Sequence, residues 1–223
     1  MGQTIQLTAK DGNKFSAYRA DPAGKPRGAI VVIQEIFGVN QHIRSVADRY
    51  AALGYVAVAP AVFDRAEKNF ETGYDPPSIE KGRAVRGKIT TEQLVADTQA
   101  AVEFAKQFGK VAVVGYCMGG SVAFLAATRL EGLACAVGYY GGQIVQHAEE
   151  KPRVPLMLHF GDQDQSIPMT DVEKIKKAQP GLPIFVYSGA GHGFNCDERG
   201  SFDAAAAQVA FGRSQEFLAK NVG

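Results

Sequence analysis

Segments typical of buried β-strands alternate with segments of helical spacing along almost the whole chain. The first clear pair is the apolar, β-branched run 29–33, followed by 41–53, where apolar side chains recur at helical intervals up to Gly54. A continuous apolar run of this kind is typical of a strand covered on both faces. The same pattern predicts strands at 55–59, 111–116, 134–140, 154–160 and 182–187, and helices at 78–88, 91–107, 121–130, 170–178 and 201–218. We therefore expect a mostly parallel, doubly wound α/β sheet with helices on both faces.

Two further segments complete the predicted organisation. Residues 4–7 and 14–20 flank the turn sequence Asp11-Gly12-Asn13, which predicts an opening β-hairpin. Residues 61–79 are polar and contain the pair Pro76-Pro77, so we expect a loop there. The 223 residues show no repeat and no linker, and they are expected to form a single domain over 1–223.

Charge and cysteine content argue against several functional classes. Lys and Arg number 24 against 23 Asp and Glu, and without a basic excess we expect no nucleic-acid partner. The apolar runs are far shorter than the ~20 residues of a membrane span, and no apolar leader opens the chain. We expect a cytoplasmic protein with no membrane partner. Three cysteines without Cys-x-x-Cys spacing predict neither a disulfide framework nor a metal site.

The motif Gly115-Tyr116-Cys117-Met118-Gly119-Gly120 lies between a predicted strand and a predicted helix. Glycines two residues before and two residues after a nucleophile permit a tight strand-to-helix turn that exposes the nucleophile. Here the nucleophile would be the thiol of Cys117, and the nearby helix N-terminus favours its thiolate form. The alternative interpretation is a small buried cysteine in a glycine-rich turn.

An acid and a base follow two later strands in the order nucleophile, acid, base, which is typical of α/β-hydrolases. His192 lies between two glycines after strand 182–187, where core packing is an unfavourable role for it. Asp162 and Asp164 both follow strand 154–160. We expect Asp164 to orient His192, because Asp162 directly follows Gly161 and is placed to shape the turn by bonding its own backbone.

The other histidines and cysteines are expected to be structural. His42 lies at a predicted helix start, His147 in a polar segment and His159 within a strand. Capping, solvation or packing are the usual roles there, and no two share metal-ligand spacing. Cys135 is predicted to be a core thiol. Cys196 either lines the site or occupies an ordinary loop position.

An acidic residue follows the first buried strand in the motif Gln34-Glu35-Ile36-Phe37-Gly38-Val39-Asn40. Burying a carboxylate there is costly unless a neighbouring group binds it. In the predicted topology this strand end lies beside Cys117, so Glu35 is expected either to contact the thiol or to form a structural ion pair. The backbone N–H groups of Ile36 and Met118 are candidates for a two-donor oxyanion hole.

Together these residues resemble the dienelactone hydrolase (carboxymethylenebutenolidase) family of α/β-hydrolases over essentially the whole chain. The resemblance rests on the two motifs above together with Gly138-Tyr139-Tyr140-Gly141 and Ala190-Gly191-His192-Gly193-Phe194. It implies an α/β-hydrolase fold and a triad of Cys117, Asp164 and His192. It also implies that Glu35 keeps the thiol quiescent until substrate arrives, and that catalysis through a thioester acyl-enzyme requires neither metal nor organic cofactor.

The resemblance also indicates a substrate. The family opens a five-membered unsaturated lactone that bears a carboxylate, giving maleylacetate in the degradation of chloroaromatic catechols. Its motifs make Phe37, Tyr139 and Phe194 candidates to line the substrate pocket.

Two arginines bind the substrate carboxylate in family members that process dienelactone. The first corresponds to Arg83 or Arg86, with Arg83 preferred. The second position, four residues after the catalytic histidine, is Cys196 in this chain. Arg199 is close enough in sequence to substitute for the missing arginine.

Two alternatives remain beside a small-molecule lactone or ester hydrolase of the dienelactone type. One is a broad-specificity carboxylesterase or thioesterase, which uncharged aryl esters would reveal as better substrates than a carboxylated lactone. The other is a non-catalytic binding protein that keeps the fold, which loss of turnover on mutation of Cys117 would exclude. The sequence is compatible with a monomer or a small homo-oligomer.

Overall fold

A computed structural model describes residues 2–223, which form one eight-stranded sheet flanked by α-helices. The strands are β1 (Gln3–Thr8), β2 (Lys14–Ala20), β3 (Ala29–Ile33), β4 (Val56–Pro60), β5 (Val111–Tyr116), β6 (Cys135–Tyr139), β7 (Leu156–Gly161) and β8 (Ile184–Tyr187). The helices are α1 (Gln41–Ala52), α2 (Pro76–Arg86), α3 (Thr91–Ala105), α4 (Met118–Arg129), α5 (Met169–Ala178) and α6 (Ala204–Asn221), with short 3₁₀ turns at Val62–Arg65, Lys106–Phe108 and Ile144–His147.

The strand order is β1-β2-β4-β3-β5-β6-β7-β8, and every pair from β4 to β8 is parallel. The opening hairpin adds two antiparallel strands at one edge. Every residue of β3 to β7 is buried. Because successive side chains of a strand point to opposite faces, this burial requires cover on both faces of the sheet. The predicted fold class, a mostly parallel α/β sheet, is confirmed.

Three helix starts differ from the sequence prediction by two or three residues. One is that of α6, which begins at Ala204 after the N-cap Asp203 and not at 201. Helix α2 begins at Pro76, within the segment predicted to be loop. The Asp75 side chain accepts a hydrogen bond from the backbone N–H of Ser78 at 2.8 Å, and proline is well suited to the first helical turn. Helix α4 begins at Met118, immediately after Cys117, so that Gly119 and Gly120 of the turn motif belong to its first turn.

The parallel arrangement positions the site. The carboxyl ends of β3, β5, β7 and β8 lie at the same edge of the sheet, and the loops that follow them carry the candidate residues. Among residues 2–223, none of the helices combines the length and the apolar character needed to cross a membrane.

Candidate active site

Cys117 occupies a strained backbone conformation between β5 and α4. Its φ of 56° and ψ of −116° are unusual for a residue with a side chain. The turn needs its glycines: a β-carbon on Gly115 would lie 1.9 Å from the carbonyl oxygen of Gly119, and one on Gly119 would lie 2.3 Å from that of Ile33. The turn is therefore too tight for side chains at these two positions, and it presents the thiol at the sheet edge.

The structure brings Cys117, His192 and Asp164 into one chain of contacts. The Sγ of Cys117 lies 3.1 Å from Nε2 of His192, and Nδ1 of His192 lies 2.7 Å from Oδ2 of Asp164. The other carboxylate oxygen of Asp164 accepts hydrogen bonds from the backbone N–H groups of Ser166 and Ile167, at 2.8 and 3.1 Å. The nearly fully buried carboxylate is thus held firmly against the imidazole.

Asp162 has a different role from Asp164. Its Oδ1 accepts a hydrogen bond from the backbone N–H of Gly189 at 2.8 Å, and this contact lowers the pKa of the Asp162 carboxyl. We expected it to bond within its own turn. Instead it ties the loop after β7 to the loop after β8, which fixes the relative positions of Asp164 and His192.

His192 holds its proton more strongly than an ordinary histidine. Burial alone would lower the pKa of His192, but the nearby Cys117 sulfur and the hydrogen bond to Asp164 outweigh burial and raise that pKa to about 10. The Cys117 sulfur and the Asp164 carboxylate therefore favour the imidazolium form of His192 at neutral pH.

We predict that Cys117→Ala lowers the pKa of His192 by about 1–3 units, because the opposite charge next to the imidazolium is removed. NMR titration of the imidazole signals would measure the change, and the chain has only 4 histidines to assign. Cys135→Ala, which removes a buried thiol remote from this site, is the matched control and should leave the titration unchanged. An identical His192 titration in Cys117→Ala and the wild type would show that the sulfur does not raise the pKa of His192.

A cavity of about 430 Å³ opens in front of the thiol. Its lining includes residues from α2, the α4 start and the loops after β3 and β8: Ile36, Phe37, Ile79, Arg83, Arg86, Cys117, Met118, Ser121, Gly142, Gln143, Ser166, Ile167, His192 and Arg199. Met118 is the first residue of α4, so its N–H has no acceptor within that helix. Ile36 and Met118 both border the cavity, as expected for oxyanion-hole donors.

Tyr139 and Phe194 do not line the cavity, contrary to the sequence prediction. Both are fully buried. The Tyr139 hydroxyl bonds Ser214 of α6 at 2.6 Å, which draws the side chain under that helix. Phe194 packs edge-on against Tyr140, with ring centroids 5.3 Å apart. Phe37 is the one of the three predicted aromatic residues that borders the cavity.

Glu35 is paired with Arg199 and not with the thiol. The carboxylate is 1% exposed, and its Oε1 accepts a hydrogen bond from Nη1 of Arg199 at 3.1 Å. Of the two expectations for Glu35, the structural ion pair is the one found. Glu35 makes no hydrogen bond with Cys117, whose thiol faces His192. Gly193 makes room for this pair, since a β-carbon there would lie 2.5 Å from the same guanidinium nitrogen.

The two candidate arginines of α2 differ in their partners. They follow Ile79 of the same helix at spacings of four and then three residues, so the three side chains lie on one helix face and border the cavity. Arg83 is 65% exposed and pairs with Glu80 at 2.8 Å. Arg86 is half-buried and bonds only carbonyl-type oxygens, those of Ile89 and Gln143. Burial lowers its pKa, and no carboxylate of residues 2–223 lies within ion-pair distance. The geometry therefore favours Arg86 over Arg83 as the available cation.

The other histidines and cysteines considered in the sequence analysis do not line the cavity. Cys196 is fully buried behind the cavity wall, and burial and the neighbouring Glu35 raise its pKa to about 12. His159 is buried between Tyr187 and Ser214, and burial lowers its pKa to about 3. His147 bonds Glu150. Cys135 lies in the core, as predicted.

Comparisons with known proteins show the family to which the chain belongs. The sequence model of the Dienelactone hydrolase family matches residues 15–222. A carboxymethylenebutenolidase from Pseudomonas putida is 35% identical over 228 residues, covering 96% of this chain and 95% of the relative. Carboxymethylenebutenolidase 1 from Cupriavidus pinatubonensis is 32% identical over 226 residues, covering 96% of this chain and 95% of the relative.

A solved structure from Klebsiella pneumoniae, described as a "Putative Dienelactone Hydrolase", superposes with a TM-score of 0.84 at 28% identity, covering 98% of this chain and 99% of that one. The mostly parallel sheet and the near-full-length similarity both support this family. The chain belongs to the dienelactone hydrolase family and is a hydrolase of that family.

Proposed function

We propose that this chain opens a carboxylated lactone of the dienelactone type, using Cys117 as nucleophile, His192 as acid and base, and Asp164 as the group that orients His192. The observation that carries the proposal is the chain of contacts of 3.1 Å and 2.7 Å from sulfur to imidazole to carboxylate. The role in breakdown of aromatic compounds is proposed from the family resemblance.

Acylation begins with attack of the Cys117 thiolate on the lactone carbonyl. A carbon–sulfur bond forms, and the negative charge moves to the carbonyl oxygen. We propose that the N–H groups of Ile36 and Met118, which both border the cavity, stabilise this charge. The ring carbon–oxygen bond then breaks, and the leaving enolate takes the proton of the His192 imidazolium. The product of this half-reaction is a thioester on Cys117 and a neutral His192.

In deacylation His192 acts as a base, whereas in acylation it acts as an acid. The neutral imidazole takes a proton from water as the water oxygen attacks the thioester carbonyl. The carbon–sulfur bond breaks, the acid is released, and the imidazolium–thiolate pair is restored. Asp164 holds Nδ1–H in place throughout, which keeps Nε2 directed at the sulfur.

The cavity suits a small anionic substrate. Its volume of about 430 Å³ is at the small end of ligand pockets. Arg86 supplies a cation without a carboxylate partner, and Arg199 borders the cavity while bonded to Glu35. We propose that Arg86 and Arg199 bind the substrate carboxylate, with the apolar side chains of Ile79 and Phe37 beside the ring.

Steady-state turnover of cis- and trans-dienelactone, measured beside p-nitrophenyl acetate, tests the proposal. We expect kcat/KM to be higher for a dienelactone than for the ester, and Arg86→Gln to lower it for the dienelactone by about 10- to 150-fold through loss of a charge-assisted hydrogen bond of about 1.5–3 kcal/mol. The ester carries no carboxylate, so its turnover by Arg86→Gln should stay within a few-fold of the wild type.

Arg83→Gln is the matched control, because Arg83 borders the same cavity from the same helix but is paired with Glu80. It should lower dienelactone turnover by only a few-fold. Equal losses in the two variants would remove Arg86 from its proposed role. Failure of the wild type to open either lactone while cleaving the ester would discard the dienelactone substrate.

A second candidate is a carboxylesterase or thioesterase of broad specificity for uncharged acyl groups. It is favoured by the ion pair of Glu35 with Arg199, which neutralises one of the two cations proposed for the substrate carboxylate, and by Cys196 at the position of a family arginine. Aryl esters would then exceed both lactones in kcat/KM, with the same dependence on Cys117.

A further inference from the structure

Three side chains of metal-binding type converge behind the wall of the catalytic cavity. Glu35 comes from the loop after β3, His42 from the first turn of α1, and Cys196 from the loop after β8. One oxygen, one nitrogen and one sulfur atom from these residues all lie within 4.8 Å of one another. All three residues are buried. We propose that they bind a thiophilic divalent cation, with Zn²⁺ as the best match.

Two of these atoms are buried without a hydrogen-bond partner. Oε2 of Glu35 and Nε2 of His42 have none among residues 2–223. Buried polar atoms normally have a partner, so two adjacent exceptions call for an explanation. A single cation between them would satisfy both atoms at once, and the Cys196 sulfur lies in the same place.

The opposite nitrogen of His42 has the partner expected of a metal ligand. Its Nδ1 lies 2.9 Å from Oδ1 of Asp197. Because a carboxylate only accepts, this contact places the ring proton on Nδ1 and leaves the lone pair of Nε2 free to bind a cation. Histidines that bind metals almost always donate their other ring N–H in this way.

The other two proposed ligands, Glu35 and Cys196, also have polar neighbours outside the cluster. Oε1 of Glu35 accepts from Arg199 at 3.1 Å, which orients Oε2 towards the cluster. On the side of Cys196, the hydroxyl of the neighbouring Tyr74 accepts a hydrogen bond from Nδ2 of Asn40 at 2.9 Å. Polar partners therefore fix the orientation of His42 and Glu35, and Tyr74 lies beside Cys196.

Donor types and spacing match zinc. Thiolate, imidazole and carboxylate are the three side-chain ligands of Zn²⁺ in proteins. Tetrahedral ligands at 2.0–2.3 Å from a metal lie about 3.3–3.8 Å apart, so binding requires the three atoms to approach one another by about 1.5 Å at most. Two anionic ligands balance the double positive charge, and water would fill the fourth position.

This site lies outside the proposed reaction. A cation bound to Oε2 of Glu35 would fix the carboxylate that holds Arg199 at the cavity wall. It would also keep Glu35 away from the Cys117 thiol. The cation is therefore a positioning element for Arg199, and its binding can be measured without any turnover.

The test uses the full chain carrying Cys117→Ala, so that the catalytic thiol cannot bind metal. Zn²⁺ affinity is measured by competition with a chromophoric chelator, and Co²⁺ is added separately to detect a thiolate-to-cobalt charge-transfer band. We expect one Zn²⁺ per chain. Cys196→Ala and His42→Gln should each weaken binding by about 100-fold or more, and Asp197→Asn by about 10- to 100-fold.

Cys135→Ala is the matched control, because it removes the other buried thiol and leaves the cluster intact. It should keep the affinity and the cobalt band, and Zn²⁺ should raise its Tm. Should Cys196→Ala fail to fold by circular dichroism, His42→Gln and Asp197→Asn carry the test. Absence of stoichiometric Zn²⁺ binding, or equal affinity in the Cys196→Ala and Cys135→Ala chains, would overturn the proposal.

Discussion

Replacing Cys117 with alanine is expected to lower kcat for lactone opening by about 10⁴-fold or more, with the fold retained. The loss follows because no other group lies at the sulfur position next to His192, so no thioester can form. Alanine keeps a β-carbon on the same backbone with φ of 56°, so the strain of the turn is unchanged. Steady-state kinetics measures the loss of kcat. Mass spectrometry of acid-quenched enzyme detects the thioester, since only the wild type should carry the mass of an acyl group.

Cys135→Ala is the control for this experiment as well, and it should retain activity and acyl-enzyme formation within a few-fold. Turnover by Cys117→Ala at a rate near the wild type would remove the thiol from the mechanism. Such a result would also leave the raised pKa of His192 without a catalytic purpose.

Replacing Asp164 with asparagine should lower kcat by about 10²- to 10⁴-fold. The neutral amide no longer stabilises the imidazolium, and its NH₂ group, if it faces the ring, forces His192 into the wrong tautomer. The pKa of His192 should fall in the same variant, because the hydrogen bond to the carboxylate is one of the contacts that raise it. Kinetics and NMR titration on the same preparation test both expectations.

Asp162→Asn is the matched control, since it makes the same chemical change two residues away. The amide oxygen can still accept from the Gly189 N–H, so turnover should fall by only a few-fold. If Asp162→Asn were the more damaging substitution, the assignment of Asp164 as the orienting acid would be wrong. Equal losses of turnover in the two variants would indicate that catalysis depends on the geometry of the loop and not on the charge of Asp164.

Much of the fold could be predicted from the sequence because its signals are local. The β-branched run 29–33 and the strand 111–116 coincide with β3 and β5, which lie beside each other in the sheet. Cys117 and His192 can be predicted as candidates for a similar reason, since glycines on both sides of each indicate a tight turn. The start of α2 was missed because Pro76-Pro77 indicates a loop unless Asp75 is recognised as its cap.

The errors concern contacts between distant parts of the chain. Tyr139 and Phe194 belong to motifs of the family, but a motif does not say on which side of the sheet a ring packs. The partner of Glu35 is 164 residues away in sequence. The cluster with His42 and Cys196 combines the first and last loops of the site, and no spacing rule for metal ligands covers such separations.

The ion pair of Glu35 with Arg199 has a consequence for the order of events during folding. It joins the loop after the first parallel strand to the loop after the last, so it forms only when nearly the whole chain has been synthesised. The imidazole that faces the thiol likewise follows it by 75 residues. A nascent chain therefore carries an unpaired Cys117 for much of its synthesis, and the reactive pair appears only when β8 has joined the sheet. In the mechanism proposed above, the nucleophile therefore gains its base only after the last strand of the sheet has formed.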